Sequence, residues 1–455
     1  MGARNLVMLI ARPDGPRLSS TGCVFMSRTL DRVVIITDDS VASGGAASIA
    51  ISSVRLLRSY GAPVTILTGD DGSNPVFRLW GADVVSLGGK HILGGSRTTA
   101  AFRGLFDPTV SAALRRWIDE HDTPGTVYHL HNWHKVLSPS ALGSLRKVGS
   151  RLVVSTHDFF LACPNGGYFN FPRQQTCTLT PLGLACLATN CDKRHYGHKI
   201  WRVGRHALMR AFLHLHDTPA TILAVHDGMV PLLEQGGVAR RSIRVLRNPV
   251  VPWCRTRVAA ERNGTVLYVG RLELDKGIDL LAAASRKIGV PLLIAGEGPL
   301  RETIGRLYPA AQLLGQSSQA AIAELAQAAR MLVVPTRVRE TFGLVALEAA
   351  TSGIPVVSSS SNLTTGELVR IGAAISFDPA DCSLLSATMS HLMMDNTAVT
   401  AMSRAGFSRA SSLAPTEDQW CAGLIEIYGQ KLRESERDGK LPHAGLTSRR
   451  KRAAA

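Results

Sequence analysis

Short apolar runs alternate with longer stretches of helical periodicity from Arg32 to about Leu432, and this alternation limits the chain's fold more than any other feature. The run at residues 32–37 is apolar on consecutive positions, which suits a parallel strand covered on both faces and not a half-exposed one. It leads into Ser43-Gly44-Gly45-Ala46 and a helical pattern that runs to about Tyr60, where Gly61 ends it. Further strands are predicted at residues 63–68, 82–87, 126–130 and 152–156. A second series begins after Asn248-Pro249, with strands predicted at 266–269, 291–295, 312–314, 331–335 and 355–358. Strands and helices in alternation are the βαβ signature of a doubly wound sheet. A chain of 455 residues also exceeds what one core organises. The expectation is an α/β fold of two Rossmann-like doubly wound domains facing across a cleft, residues 26–250 and 251–415. The polar, aperiodic segment 253–263 reads as the link, and a last helix over 416–433 is expected to pack back on the first domain. A poorly ordered extension, 1–25, and a disordered basic tail, 434–455, complete the predicted organisation.

Lys and Arg number 51 against 35 Asp and Glu, a formal charge of +16. Such an excess favours anionic partners: phosphorylated donors, acidic lipid surfaces or nucleic acid. Part of it sits in Ser448-Arg449-Arg450-Lys451-Arg452, which has no periodicity and reads as a solvated end, so no nucleic acid is expected as a partner. No window approaches the ~18–20 apolar residues that span a bilayer. The apolar run at 6–11, followed by Arg12-Pro13-Asp14-Gly15-Pro16, makes a poor signal peptide and predicts cytoplasmic residence. Met26 lies just before the first convincing strand, which leaves Met1 and Met26 both open as the start, a choice that N-terminal sequencing of native protein would decide.

The segment with most chemistry is Arg339-Glu340-Thr341-Phe342-Gly343-Leu344-Val345-Ala346-Leu347-Glu348-Ala349. It follows the strand ending Val334-Pro335, which places Glu340 in the loop at the strand's C-terminal edge, where open α/β sheets bind ligands. The helix opened by Gly343 offers the N–H groups of Phe342, Gly343, Leu344 and Val345 and a positive dipole end to an anion such as a diphosphate. Glu348, further along that helix, is placed to accept hydroxyl hydrogen bonds from a ribose, and Glu340 from a sugar. In Tyr268-Val269-Gly270-Arg271-Leu272-Glu273-Leu274-Asp275-Lys276-Gly277, Arg271 presents a rigid fork and Lys276 a point charge to a departing diphosphate.

Two glutamates separated by seven residues, with Phe-Gly after the first, resemble the hallmark of family 4 of the retaining glycosyltransferases, the glycosyl transferases group 1, which adopt the double-Rossmann GT-B architecture. Gly296, within Leu293–Leu300, and Gly315-Gln316 extend the resemblance, the latter at the family's position for the nucleotide base. One departure is Ser361-Asn362-Leu363-Thr364-Thr365-Gly366-Glu367, where the family commonly has a glycine-rich turn. The resemblance implies transfer of a hexose, with retention of configuration, from a UDP-, GDP- or ADP-sugar to a glycan or a polyprenyl-diphosphate-linked acceptor. It implies a place in exopolysaccharide, lipopolysaccharide or other cell-envelope glycan synthesis. It also implies catalytic roles for Glu340, Arg271, Lys276 and His157, and donor contacts from Glu348, Phe342 to Val345, Gly315, Gln316 and Gly296. No cofactor is required for such catalysis, and no residue is an obvious covalent nucleophile. A nucleotide-sugar epimerase of the same fold and a non-catalytic sugar-nucleotide- or lipid-binding subunit are the alternatives.

In the first domain Gly44, Gly45 and Ala46 match the family's glycine loop for a phosphate or the acceptor; the pattern is not Gly-x-Gly-x-x-Gly, which counts against a nicotinamide or flavin. His129-Leu130-His131-Asn132-Trp133-His134 and Thr156-His157-Asp158 resemble segments lining the acceptor side, with structural and catalytic roles both open for each histidine. Cys163, Cys177, Cys186 and Cys191 fall close together. They read as buried thiols or as a structural zinc site, and the lack of a Cys-x-x-Cys pair favours thiols. Residues 193–210 are strongly basic, with Ile200, Val203 and Leu208 interspersed. Such a stretch reads either as a solvated helix or as one that lies on an anionic membrane surface with Trp201 as its anchor, placing the enzyme peripherally on the inner face of the plasma membrane.

Overall fold

Beyond Arg32 every residue of the first strand, β1 (Arg32–Thr37), is buried, as expected of a strand with helices on both faces. In the computed structural model, which describes residues 30–92, 96–437 and 439, it is the third of seven strands. With β2 (Val64–Thr68), β3 (Asp83–Ser86), β4 (Thr126–Leu130), β5 (Leu152–Thr156), β6 (Thr221–Ala224) and β7 (Ile243–Val245) it forms a parallel sheet ordered β3-β2-β1-β4-β5-β6-β7. A second parallel sheet holds β8 (Thr265–Val269), β9 (Leu292–Ala295), β10 (Gln312–Gly315), β11 (Ala329–Val334), β12 (Val356–Ser359) and β13 (Ala374–Phe377), ordered β10-β9-β8-β11-β12-β13. Both orders reverse direction beside their first strand, and the crevices at those reversals are where such sheets bind ligands. The fold is two Rossmann-like α/β domains. The strands β6, β7 and β13 were not foreseen. They are three or four residues long; β7 exposes two of its three and shows neither a period nor a run, whereas β6 lies in the apolar run 220–225.

Six helices frame the cleft and its surroundings: α1 (Gly45–Ser59), α2 (Arg97–Leu105), α3 (Leu184–Ala188), α4 (Tyr196–Leu213), α5 (Leu344–Thr351) and α6 (Glu417–Arg437). The last follows the second domain yet lies against the first. Its Trp420, Leu424, Ile425, Tyr428 and Leu432 share one core with Val33, Ile35 and Val127. Residues 434–437, expected in the tail, form its last turn, because Ser435 is buried and its hydroxyl lies 3.1 Å from that of Ser150. The extension 1–25, Met26 and the tail from 440 onward lie outside the described residues.

Segment 253–263 is not a free link. Trp253, Cys254, Val258 and Ala260 are buried, and the N–H groups of Trp253 and Cys254 donate to Ser352 Oγ at 2.9 and 3.1 Å. Its apolar residues are spaced irregularly, so the sequence shows no period although the segment is packed. The domains are tied directly by Arg247, whose two terminal nitrogens each lie 2.8 Å from a carboxylate oxygen of Glu367, the fork-to-fork geometry of a strong pair. Trp201 is not an exposed anchor either: its ring lies against Gly104 and its Nε1 donates to Ala101 O at 3.0 Å. No described helix is long and apolar enough to cross a membrane.

Candidate active site in the interdomain cleft

The C-terminal ends of both sheets open on one cleft of about 530 Å³, within the range of sites that enclose a nucleotide-sized molecule. Gly44, Gly45, Ala46 and His157 line it from the first domain; Arg271, Lys276, Glu340 and Phe342 to Val345 line it from the second. Across the cleft Thr341 Oγ1 donates to His157 O at 2.8 Å.

The second-domain wall is built by close backbone approaches. Gly277 ends the turn after β8 at φ +71, and a Cβ there would lie 1.9 Å from Pro335 O at the end of β11. Only glycine lets these two loops touch. The contact brings Lys276 beside Glu340, Nζ to Oε1 3.1 Å. Arg271 turns to Glu273, Nη1 to Oε1 2.5 Å. Glu340 itself is held by its backbone, its N–H donating to Ser361 O at 3.2 Å and its carbonyl accepting from Leu363 N at 3.0 Å. The loop that departs from the glycine-rich family turn therefore still cradles this glutamate, using Asn362 in place of small residues. Gly343, at φ +66, packs on the Asn362 side chain, which a Cβ would meet at 2.4 Å. From there α5 begins, and among the described residues the N–H groups of Gly343, Leu344 and Val345 meet no acceptor. Free first-turn N–H groups and the helix dipole make this an anion-binding end.

In the first domain two aspartates absent from the sequence-based expectations order the loops. Asp38 is buried and accepts from the N–H groups of Lys135, Val136 and Leu137 at 2.8–2.9 Å. Asp39 accepts from Ser43 Oγ at 2.5 Å, fixing the approach to Gly44. Their signal was legible as Asp38-Asp39 directly after a buried strand, the position where loop-ordering carboxylates belong. Lys135, Lys193, Arg202 and Arg339 also line the cleft.

Behind the first-domain wall the histidines form a buried chain. His129 Nδ1 lies 2.7 Å from Tyr428 Oη and its Nε2 2.8 Å from Ser155 Oγ, while His131 Nδ1 lies 3.1 Å from His157 Nε2. Burial drives all of them down: His129 to about 3, His157 to about 4 and His131 well below the usual histidine value. His134 is also lowered to about 4 by burial, against the opposing pull of Asp158. His157 is thus a neutral hydrogen-bonding group. These histidines bind protons in the unfolded chain before they do in the folded one, so stability is present above pH ~6.5 and is lost as pH falls toward 4. We expect the thermal midpoint to fall steeply between pH 7 and pH 5, with His129→Gln flattening the slope; a midpoint constant over that range would contradict the buried, neutral chain.

Glu348, Gly296, Gly315 and Gln316 do not line the cleft. Glu348 accepts from Trp253 Nε1 at 3.2 Å, and burial raises its carboxyl to about 7 against that bond. Gly296 N–H donates to Gly315 O at 2.8 Å, so these two close the neighbouring edge of the second sheet.

Among the described residues no three His, Cys, Asp or Glu side chains are placed to hold a metal. Cys163 Sγ instead lies 3.1 Å from Asn165 Oδ1, and the buried Lys199 places its ammonium 3.1 Å from Cys191 Sγ and 3.8 Å from Cys186 Sγ. A cation already stands among the sulfurs, also donating to the carbonyls of Cys186 and Thr189 at 2.9 and 3.2 Å.

Residues 255–409 match the family described as Glycosyl transferases group 1. Over 280 residues the chain is 30% identical to glycogen synthase of Mycobacterium tuberculosis, covering 57% of this chain and 64% of that protein. The chain thus spans a little under two thirds of that relative's length. Sucrose-phosphate synthase from Thermosynechococcus elongatus superposes with a TM-score of 0.65 at 17% identity, over 88% of this chain and 98% of that one. Anabaena Alr3699/HepE, solved in complex with UDP and glucose, superposes with a TM-score of 0.59 at 16% identity, over 90% and 99%. At such identities the likeness shows the two-domain fold alone.

Proposed function

We propose, from the membership of residues 255–409 in the group 1 glycosyltransferases, that the chain is a retaining, family 4 hexosyltransferase. It takes its sugar from a nucleotide-sugar and passes it to a glycan or polyprenyl-diphosphate-linked acceptor of cell-envelope synthesis, working at the inner face of the membrane. The observation that carries the reading is the meeting of Lys276, Glu340 and the free N-terminal end of α5 on one wall of the cleft.

On this reading the diphosphate lies against the N–H groups of Gly343 to Val345, with Lys276 and Arg271 neutralising charge as it departs. Glu340 accepts hydrogen bonds from the sugar, and neutral His157 orients a hydroxyl. The acceptor oxygen bonds to the donor carbon on the face the diphosphate leaves, and the acceptor proton departs with the diphosphate. Positioning and electrostatics supply the acceleration, with no covalent enzyme intermediate.

A panel of UDP-, GDP- and ADP-sugars tests this by thermal shift and by slow hydrolysis of the donor. One nucleotide series should raise the midpoint by several degrees, with hydrolysis lost in Glu340→Ala. Stabilisation by no member of the panel would remove the transferase reading.

A further inference from the structure

We infer that Arg247 and Glu367 are positioning residues, whose pair makes closure of the cleft and the placement of Glu340 a single event. The inference rests on the role proposed above for Glu340. Arg247 follows β7 and stands just before Asn248-Pro249, where the chain leaves the first domain. Its guanidinium makes five hydrogen bonds, as many as it has N–H groups. Nε and Nη2 donate to Asp227 Oδ2, in the turn after β6, at 3.2 and 2.6 Å. Nη1 and Nη2 donate across the domains to Glu367 Oε2 and Oε1, both at 2.8 Å. Nη1 also donates to Leu413 O at 2.9 Å, shortly before the chain returns to the first domain as α6. Close by, Val250 N–H donates to Pro415 O at 3.3 Å. Both crossings between the domains and one second-domain carboxylate thus meet at a single side chain.

That carboxylate belongs to the loop that holds Glu340. Ser361 O and Leu363 N–H bond the backbone of Glu340, and Asn362 packs on Gly343 where α5 begins. The loop is stiffened from within. Asn362 Oδ1 accepts from the N–H and hydroxyl of Thr364 at 3.3 and 3.1 Å, and the Thr365 hydroxyl donates to Ser359 O at 2.8 Å. Glu367 lies in the first turn of the short helix Thr365–Arg370 that follows. A displacement of Glu367 is therefore passed on to Glu340. First-domain groups brace the same loop: His226 Nε2 lies 3.5 Å from Glu367 Oε1, and a Cβ on Gly228 would meet Leu363 Cδ2 at 3.4 Å.

A charged fork suits this task better than an apolar contact would. It fixes angle as well as distance, and both groups can return to water when the domains part. With the domains apart the loop loses its brace, so Glu340 takes its place beside Lys276 only in the closed cleft. The diphosphate-binding end of α5 is anchored separately, because Ala346, Leu347, Ala349 and Ala350 are fully buried. The brace therefore governs turnover more than donor binding.

Hydrogen exchange read by mass spectrometry, together with hydrolysis of a nucleotide-sugar that stabilises the wild type, tests the inference in Arg247→Gln and Glu367→Gln. In Arg247→Gln, peptides covering 338–345 and 359–367 should exchange about tenfold faster, although the substitution lies in the other domain. In both variants kcat should fall about ten- to a hundredfold while the donor Kd changes less than about twofold. Glu367→Gln should remove nothing further from the residual rate of Glu340→Gln, because it acts through that side chain. Unchanged exchange, a Kd that weakens in proportion to kcat, or additivity with Glu340→Gln overturns the inference. If Arg247→Gln does not fold, Arg247→Lys, which keeps the charge and gives up the fork, carries the same readings. Exchange needs no donor, so the two readings fail separately. Faster exchange without donor binding removes the transferase reading and leaves the brace; donor turnover with unchanged exchange removes the brace alone.

Discussion

With Lys276 replaced by alanine, donor turnover falls by about a hundredfold to a thousandfold, the loss found when one group stabilising a developing oxyanion is removed. The thermal midpoint moves little, because the Lys276–Glu340 pair is partly open to water and such pairs contribute about 1 kcal/mol or less. The loss should appear mainly in kcat. The charge that Lys276 meets is greatest as the diphosphate departs, so ground-state binding depends on it less. Glu340→Gln removes the carboxylate that competes with a diphosphate for the same ammonium. A double-mutant cycle between the two should therefore be strongly non-additive. Lys276→Arg restores part of the rate if charge suffices, and little if the tight turn between Glu273 and Gly277 admits only a slender side chain. Unchanged kcat in Lys276→Ala would mean that the diphosphate is held elsewhere in the cleft.

The strands that frame this site were legible in sequence because their burial on both faces writes itself as runs of Val, Ile and Leu. The three missed strands and the misread 253–263 segment share a cause. Their burial comes from neighbours distant in sequence, such as Ser352 for Trp253 and Cys254, and a short or irregular segment carries no record of them. The site divides the same way. Lys276, Glu340 and the start of α5 lie beside strand ends that the sequence marks. Asp38 is legible as a carboxylate directly after a buried strand, but which loop it holds, like the role of Asn362, depends on neighbours that spacing does not record. The basic stretch at 193–210 was visible as charge, but which of its side chains face inward was not. Lys199 and Arg205 proved to be interior groups while Lys193 and Arg194 stay exposed, and of the apolar residues between them Ile200 lies at the surface.

Glu348→Gln should do two opposite things, each with its own pH dependence. In the folded chain burial raises this carboxyl from 4.5 to about 7, so the unfolded chain loses the proton first. Below pH ~4.5 both states hold the proton and the substitution changes little; as pH rises through 7 the buried charge disfavours the fold, and glutamine removes that cost. The variant is therefore expected to melt higher than wild type at pH 8 and alike at pH 4.5. On the family resemblance, which assigns Glu348 a ribose contact although its side chain stands outside the cleft lining, donor binding moves the other way. A ribose hydroxyl donates better to a carboxylate than to an amide, and a hydrogen bond to a charged group contributes about 1.5–3 kcal/mol, so the variant should bind the nucleotide-sugar about ten- to a hundredfold more weakly at pH 8. Wild-type affinity should rise between pH 6 and pH 8 as the carboxyl ionises, and the rise should vanish in Glu348→Gln. Isothermal titration at the two pH values separates the cases. Equal affinity of the two proteins at pH 8, together with the stability gain, would make Glu348 a partner of Trp253 alone and leave the ribose to another group. A stability gain combined with weaker, pH-insensitive binding would mean that the fold keeps a costly buried acid for the sake of its donor.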